Sequence, residues 1–134
     1  MLRVTDGDTV VVSDIAYGEI DRATGGRKSR LIGIDTPEVF GGVECYGRQA
    51  SAFTKRVLDG AQVRVAFDVD PLDRYGRALV YIWEVDGTFF NARLVAEGYA
   101  LQYTVPPNVR YAELFTSLAR QAREADRGLW SDCG

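Results

Sequence analysis

Two short acidic segments carry carboxylates that could bind a metal ion or act in catalysis: Asp6-Gly7-Asp8-Thr9 and Asp35-Thr36-Pro37-Glu38. Each lies at the end of a predicted strand, where four carboxylates from two strands could converge on one cation. Ca²⁺ prefers carboxylate and backbone carbonyl oxygens, and a carboxylate left beside the ion could orient or deprotonate an attacking water. The alternative is turn chemistry, because Asp-Gly and Asp-Thr-Pro are common in loops.

The composition limits which chemistry is possible. The chain has no histidine, which excludes Ser-His-Asp and Cys-His catalytic units and any zinc or iron site with His ligands. A hydrolase would therefore depend on carboxylates, Arg, Tyr, Lys or a metal ion held by oxygen. The 16 basic residues comprise 14 Arg and two Lys. Arginine is the better bidentate partner for phosphate, although a compositional bias of the genome would give the same ratio.

Two arginines lie close to these acidic or strand-end positions. Arg30 precedes Asp35 on the same predicted strand, and Arg77 opens a later strand. Two guanidinium groups on one phosphate would stabilise the charge that develops in phosphoryl transfer. Side chains alternate along a strand, so a regular strand places Arg30 and Asp35 on opposite faces unless a bend near Gly33 intervenes. The alternative is that each arginine pairs with a nearby aspartate, such as Asp73 beside Arg77.

The length and composition favour one globular domain over residues 1–134. Hydrophobic residues make up 46% of the chain and charged residues 26%, and no apolar run approaches the ~20 residues of a membrane helix. The opening MLRVTDGDTV lacks an apolar signal-peptide core, which fits both a cytosolic protein and a secreted protein whose leader has been removed. The net charge of −3 argues against a large nucleic-acid-coating surface but not against a small positive active site.

The patterning predicts strands early in the chain and helices late. The predicted strands are 9–13, 27–34, 63–67 and 77–83, with turns at 23–26 and 86–87. The predicted helices are 48–58, 91–97 and 111–126. This order favours an α+β protein that is mainly a small closed β-barrel of the OB type, with helices attached.

Five segments follow one another in collinear order over nearly the whole chain: DGDT at 6–9, RLIGIDTPE at 30–38, YGRQASAFTK at 46–55, DRYGRALVYI at 73–82 and GLW at 128–130. Together they resemble the staphylococcal nuclease (thermonuclease) family. The resemblance implies a five-stranded OB-fold barrel with three helices. It also implies a Ca²⁺-dependent, sugar-nonspecific nuclease that hydrolyses DNA and RNA at the P–O5′ bond and leaves 3′-phosphate ends.

The resemblance also implies roles for individual residues. Those expected to bind Ca²⁺ are Asp8, Asp35 and, through its backbone carbonyl, Thr36. Those expected to act at the phosphate are Arg30, Arg77 and Glu38, the last by activating water. Those expected to bind substrate are Arg74, Tyr75 and Tyr103, although the two tyrosines could instead be half-buried structural aromatics.

Cys45 and Cys133 are the two cysteines of the chain. By themselves they could form a disulfide, remain as two free thiols or have no role. Secreted relatives resemble this chain in having cysteines at both places, which implies a disulfide that ties the tail to the first helix. An oxidising location, secreted or periplasmic, would follow, and a cytoplasmic one stays open.

The chain also departs from the family's prototype. The segment between Asp8 and Arg30 is longer, residues 39–42 are shorter and lack lysines, Val105 replaces a pocket tyrosine, and the net charge is negative. The last three differences predict weaker nucleic-acid affinity and an altered base preference.

A second function remains open: a noncatalytic module on the same barrel that binds nucleic acid or protein, as in tudor-containing proteins. Such domains typically lack part of the acidic and arginine set, whereas all of it is present here, so catalysis is expected. The expected partners are DNA and RNA, preferably single-stranded or frayed. The expected state is a monomer, since no heptad or apolar stripe indicates a dimer.

Overall fold

The computed structural model describes residues 2–39, 42 and 44–133. Residues 40 and 41 of the shortened segment 39–42, and residue 43 after it, lie outside the described residues. The strands in the described part are β1 (Leu2–Val4), β2 (Thr9–Val12), β3 (Arg27–Leu31), β4 (Ile34–Asp35), β5 (Val63–Ala66), β6 (Ala78–Glu84) and β7 (Leu101–Gln102). The helices there are α1 (Gly47–Leu58), α2 (Phe90–Ala96), α3 (Ala112–Glu124) and α4 (Leu129–Asp132).

Five of these strands form one sheet in the order β1-β2-β3-β6-β5. Neighbouring strands are antiparallel except β3 and β6, which run parallel. Arg30 is opposite Thr9 on one side and Leu79 on the other, so it lies in the middle of the sheet. Its neighbours Ser29 and Leu31 are almost fully buried, as period-two alternation requires of a strand with one face on the core.

The predicted closed barrel is confirmed only in part. The five strands form one sheet, but β1 and β5 are its two edges and do not pair with each other. The chain after α1 occupies the outer edge of β1. Gly60 N donates to Leu2 O at 2.7 Å, and Val4 N donates to Asp59 Oδ1 at 3.0 Å. These bonds satisfy edge groups that a closing strand would otherwise pair with.

Helices form at the three predicted places, with ends that differ by one or two residues. A fourth, the single turn α4, was not predicted. Among the described residues, no helix is long and apolar enough to span a membrane. The Cys45 and Cys133 sulfurs are bonded to each other, with the Cα atoms 5.9 Å apart, so α4 is tied to the start of α1.

The predicted strand 27–34 is broken in the structure. β3 ends at Leu31, and the chain turns through Gly33, whose φ is +84°. A Cβ atom at Gly33 would overlap the ring of Phe115 on α3, so packing of that helix depends on glycine here. The chain then continues as β4, and this turn decides where Asp35 points.

Candidate active site

Arg30 contacts both predicted metal-binding carboxylates, Asp8 and Asp35. Its Nη1 donates to the backbone oxygens of Leu31 and Ile34, each at 2.9 Å. Its Nη2 lies 3.3 Å from Asp35 Oδ1 and 3.4 Å from Asp8 Oδ2. A regular strand would have separated Arg30 from Asp35, but the turn at Gly33 brings them together.

The two acidic segments pack directly against each other. Asp8, which is 7% exposed, accepts a hydrogen bond from Thr36 N at 3.0 Å through Oδ2. A Cβ atom at Gly7 would lie 2.6 Å from Thr36 Oγ1, so this close approach needs glycine. Thr54 Oγ1, on the buried face of α1, donates to Gly7 O at 2.8 Å and holds the first segment in place.

Two carboxylates of this cluster, Asp35 and Asp6, have a raised pKa. Partial burial raises the pKa of Asp35, Arg30 opposes this, and the charges of Asp8 and Glu38 add to the rise. Burial, followed by the charge of Asp8, raises the pKa of Asp6 to about 6. Asp8 N donates to Asp6 Oδ1 at 3.2 Å, so Asp6 helps to hold the backbone of Asp8 in place. The cluster is a concentration of negative charge that a bound cation would relieve.

These residues suit a hard cation. Asp8 and Asp35 direct carboxylate oxygens toward one cationic group, the guanidinium of Arg30. Thr36 follows Asp35 in the chain and donates its N–H to Asp8 Oδ2, and it carries one neutral backbone oxygen. Within residues 2–39, 42 and 44–133, no three Asp, Glu, His or Cys side chains are grouped to hold a metal ion. Two carboxylates with carbonyl and water oxygens, and without nitrogen or sulfur, form a donor set that fits Ca²⁺.

Glu38 is exposed and held through its backbone rather than its side chain. Its N–H donates to Glu44 Oε1 at 2.7 Å, and Glu44 N donates to Glu38 O at 2.9 Å. A Cβ atom at Gly47, the first residue of α1, would collide with Glu38 O. Among the described residues the Glu38 carboxylate makes no hydrogen bond, and it is close enough to Asp35 for its charge to raise the pKa of that residue.

A groove of about 500 Å³ lies on the other side of Arg30. It brings five predicted residues together: Arg30, Arg74, Tyr75, Arg77 and Tyr103. Its apolar wall includes Leu72, Val105, Pro106 and Pro107. The remaining predicted residues do not line it: Asp8, Asp35, Thr36 and Glu38. Among the predicted site residues, Arg30 is the one that both lines the groove and contacts the acidic cluster.

Asp73 organises the turn that carries Arg74 and Arg77. Its Oδ2 accepts from Arg77 Nε at 2.7 Å, and its Oδ1 accepts from the backbone N–H groups of Tyr75 and Arg77, each at 2.9 Å. Arg74 Nη2 donates to Tyr75 OH at 2.8 Å, and its guanidinium lies 5.0 Å from the Tyr75 ring centre. Residues 73–77 therefore form a compact turn that presents two cations and one aromatic ring.

Sequence reasoning missed three residues that hold this site: Gly7, Thr54 and Glu44. For Thr54 a signal was available, because it is a polar residue on the helical face that Ala50 and Phe53 predict to be buried. The roles of Gly7 and Glu44 depend on contacts between distant segments. No local pattern indicates them.

Comparison with known proteins places this arrangement in a family. Residues 28–132 match the staphylococcal nuclease homologues, a stretch that includes every predicted site residue except Asp8 and Cys133. The chain is 37% identical over 135 residues to a thermonuclease of Staphylococcus hyicus, covering 98% of this chain and 75% of that protein. It is 38% identical over 131 residues to a thermonuclease of Staphylococcus intermedius, covering 96% of this chain and 73% of that protein.

A third relative is the endonuclease YncB of Bacillus subtilis, 33% identical over 137 residues, which cover 98% of this chain and 61% of that protein. The chain belongs to the staphylococcal nuclease family. The expected family resemblance is thereby confirmed.

Proposed function

We propose that the protein is a Ca²⁺-dependent nuclease that hydrolyses phosphodiester bonds of DNA and RNA without regard to the sugar. The observation that carries this proposal is the position of Arg30. Its guanidinium contacts both predicted metal-binding carboxylates and also lines the groove that contains Arg77. A phosphate bound at Arg30 would therefore lie between the acidic cluster and a second guanidinium. The thermonuclease and endonuclease relatives support the same class of activity.

The groove suits a single-stranded or frayed substrate. It offers guanidinium groups to successive phosphates and the faces of Tyr75 and Tyr103 to bases. The two rings are 63% and 55% exposed, so both are available for stacking. Base stacking on aromatic side chains tolerates any sequence, which fits an enzyme without sequence preference.

The proposed reaction is an in-line displacement at phosphorus. Water attacks the phosphorus and gives a proton to the Glu38 carboxylate, the P–O5′ bond breaks, and O5′ takes a proton to leave a 5′-hydroxyl and a 3′-phosphate. Arg30 and Arg77 stabilise the charge that accumulates on the non-bridging oxygens. Asp8, Asp35 and Thr36 would hold Ca²⁺, which when bound supplies further positive charge at this phosphate.

The first test is cleavage of a 5′-labelled single-stranded DNA with Ca²⁺ and with EDTA, followed by analysis of the end group. Cleavage that requires Ca²⁺ and leaves 3′-phosphate ends is the expected result. A folded protein that binds the oligonucleotide without cutting it would overturn the proposal. It would then be a noncatalytic binding module, with Arg30 and Arg77 acting only in the ion pairs they make with Asp8, Asp35 and Asp73.

Metal binding can be measured without activity. Ca²⁺ should raise the melting temperature of the protein, because a ligand that binds only the folded state stabilises it. The Asp35→Asn variant should lose most of this rise, while Asp132→Asn, far along the chain on α4, should keep it. An equal rise in all three proteins would place the bound Ca²⁺ elsewhere.

The disulfide between Cys45 and Cys133 supports a location in an oxidising compartment, outside the cell or in its envelope. We propose that the enzyme acts there as a monomer on nucleic acid.

A further inference from the structure

The connection between β2 and β3 reaches the turn that carries Arg77. Residues 13–26 form this connection, and they precede the stretch matched by the family. The chain returns toward β3 through a hairpin in which Asp21 N donates to Gly26 O at 2.8 Å and Ile20 pairs with Arg27. Residues 17–20, which we name the hairpin arm, therefore run beside the start of β3.

The hairpin arm joins two strands where they separate. β3 and β6 pair directly from Ser29 and Ala78 onward. Just before these positions, Glu19 bridges the gap with its backbone: its oxygen accepts from Lys28 N at 2.8 Å, and its N–H donates to Gly76 O at 2.8 Å. Glu19 thus connects the residue two positions before Arg30 with the residue immediately before Arg77.

The arm is packed closely against both strands at Gly18. Its φ is +109°, and a Cβ atom there would lie 2.9 Å from Lys28 O and 3.1 Å from Ala78 Cβ. Arg27 Nη1 donates to Gly18 O at 2.9 Å, and the Tyr17 ring meets Phe67 edge-on at 5.0 Å. A side chain at Gly18 would therefore push the arm away from β3 and β6.

The turn formed by residues 73–77 is followed directly by Ala78, which pairs with Ser29 of β3, and the arm holds it at a second place. Its other backbone and side-chain hydrogen bonds are internal and centre on Asp73. Among the described residues, the bond from Glu19 N to Gly76 O is the one hydrogen bond that connects the backbone of residues 74–77 to a distant segment. The position of Arg77 relative to Arg30 thus depends on the arm as well as on the pairing of β6 with β3.

We infer that the hairpin arm is a positioning element that sets the spacing of Arg30 and Arg77 for one phosphate. This inference rests on the proposed nuclease function and deepens it. None of residues 17–20 lines the groove. The arm acts through Arg77, and a displacement of about 1 Å at a group that stabilises a transition state is enough to slow a reaction severely.

The test compares two glycines of the same hairpin. Gly18→Ala introduces a Cβ into the contact with Lys28 and Ala78, whereas Gly25→Ala, at φ +77°, meets nothing within 4 Å. Both variants carry the strain of a positive φ. Well below both melting temperatures, Gly18→Ala should lower kcat at least about tenfold with a smaller change in KM, and Gly25→Ala should match the wild type. Equal kcat values in the two variants would overturn the inference.

A double-mutant cycle separates positioning from general destabilisation. In an Arg77→Ala background, measured in single turnover, Gly18→Ala should cost little more, because the side chain it positions is gone. An undiminished loss in that background would show that the arm does not act through Arg77. Loss of kcat that merely follows the melting temperature would show the same.

A binding measurement keeps the inference separate from the proposed function. Calorimetry with a nucleoside 3′,5′-bisphosphate reports on phosphate binding whether or not the protein cuts nucleic acid. If the wild type binds this ligand but cleaves nothing, the nuclease proposal fails. The role of the arm is then tested by the affinity of the two glycine variants for the bisphosphate. Weaker binding by Gly18→Ala than by Gly25→Ala supports the arm's role, and equal binding overturns it.

Discussion

At the scale of single residues, the side chain of Glu38 offers the sharpest test of the chemistry. Its backbone is held by Glu44, so a change of side chain leaves these contacts in place. Glu38→Gln should lower kcat by about 100-fold or more, because general base catalysis contributes on that scale. The Ca²⁺-induced rise in melting temperature should persist, since Glu38 is not among the proposed ligands.

The control for this variant is Glu113→Gln, at the exposed start of α3. Turnover in that protein should equal the wild-type value. A Glu38→Gln enzyme with near-normal kcat would remove Glu38 from its assigned role. The cleavage reaction would then need another base or none.

The residue types of the site were predictable from the sequence, and so was the pairing of Arg77 with Asp73, but most of the contacts between distant segments were not. Arg30 shows the difference: alternation along a strand placed it away from Asp35, and the break at Gly33 reverses that result. The break depends on where Phe115 packs. A residue on a helix much later in the chain therefore decides the geometry of an earlier acidic segment.

At the scale of elements, Gly33 is the contact between the turn after β3 and helix α3, through the ring of Phe115. Gly33→Ala should lower the free energy of unfolding more than Gly60→Ala does, although both glycines have a positive φ. The backbone strain of alanine, about 1–2 kcal/mol, is common to both variants. A Cβ atom at Gly33 would also overlap the Phe115 ring, whereas one at Gly60 would meet nothing within 4 Å. Overpacking of a core adds about 1–3 kcal/mol to the loss of stability.

Urea unfolding of the two variants measures this difference. Phe115→Leu should recover part of the stability in the Gly33→Ala background, because it removes atoms of the ring that the new Cβ would meet. Equal losses for Gly33→Ala and Gly60→Ala would mean that α3 can move away at no cost. The placement of β4 would then not depend on this contact.

The elements themselves were predicted unevenly. The long amphipathic segments appear as helices near their predicted positions, because an apolar face at helical spacing is a strong local signal. The three-residue β1, the two-residue pair β4–β7 and the single turn α4 carry no such signal. Their formation depends on pairing and packing with distant segments, such as the bond from Gly60 N to Leu2 O.

At the scale of the whole molecule, the disulfide closes most of the chain into a loop. Cys45 and Cys133 are 88 residues apart in sequence. Closing a loop of this size lowers the entropy of the unfolded chain, and removing the bond should cost about 4 kcal/mol in that view. Denaturant unfolding with and without reductant measures the loss. The Cys45→Ser/Cys133→Ser variant should be as unstable as the reduced protein and should not respond to reductant.

The charge of the molecule sets how nucleic-acid binding depends on salt. The net charge is −3, and the cations that line the groove are Arg30, Arg74 and Arg77. With Arg30 and Arg77 on one phosphate and Arg74 on a second, two phosphate contacts on a single strand predict a slope of about −1.4 for the logarithm of affinity against the logarithm of salt concentration. Arg74→Ala should make this slope shallower by about 0.7, whereas Arg120→Ala, on the exposed surface of α3, should leave it unchanged. A much steeper slope in the wild type would require a second basic surface outside the groove, and the acidic balance of the chain argues against one.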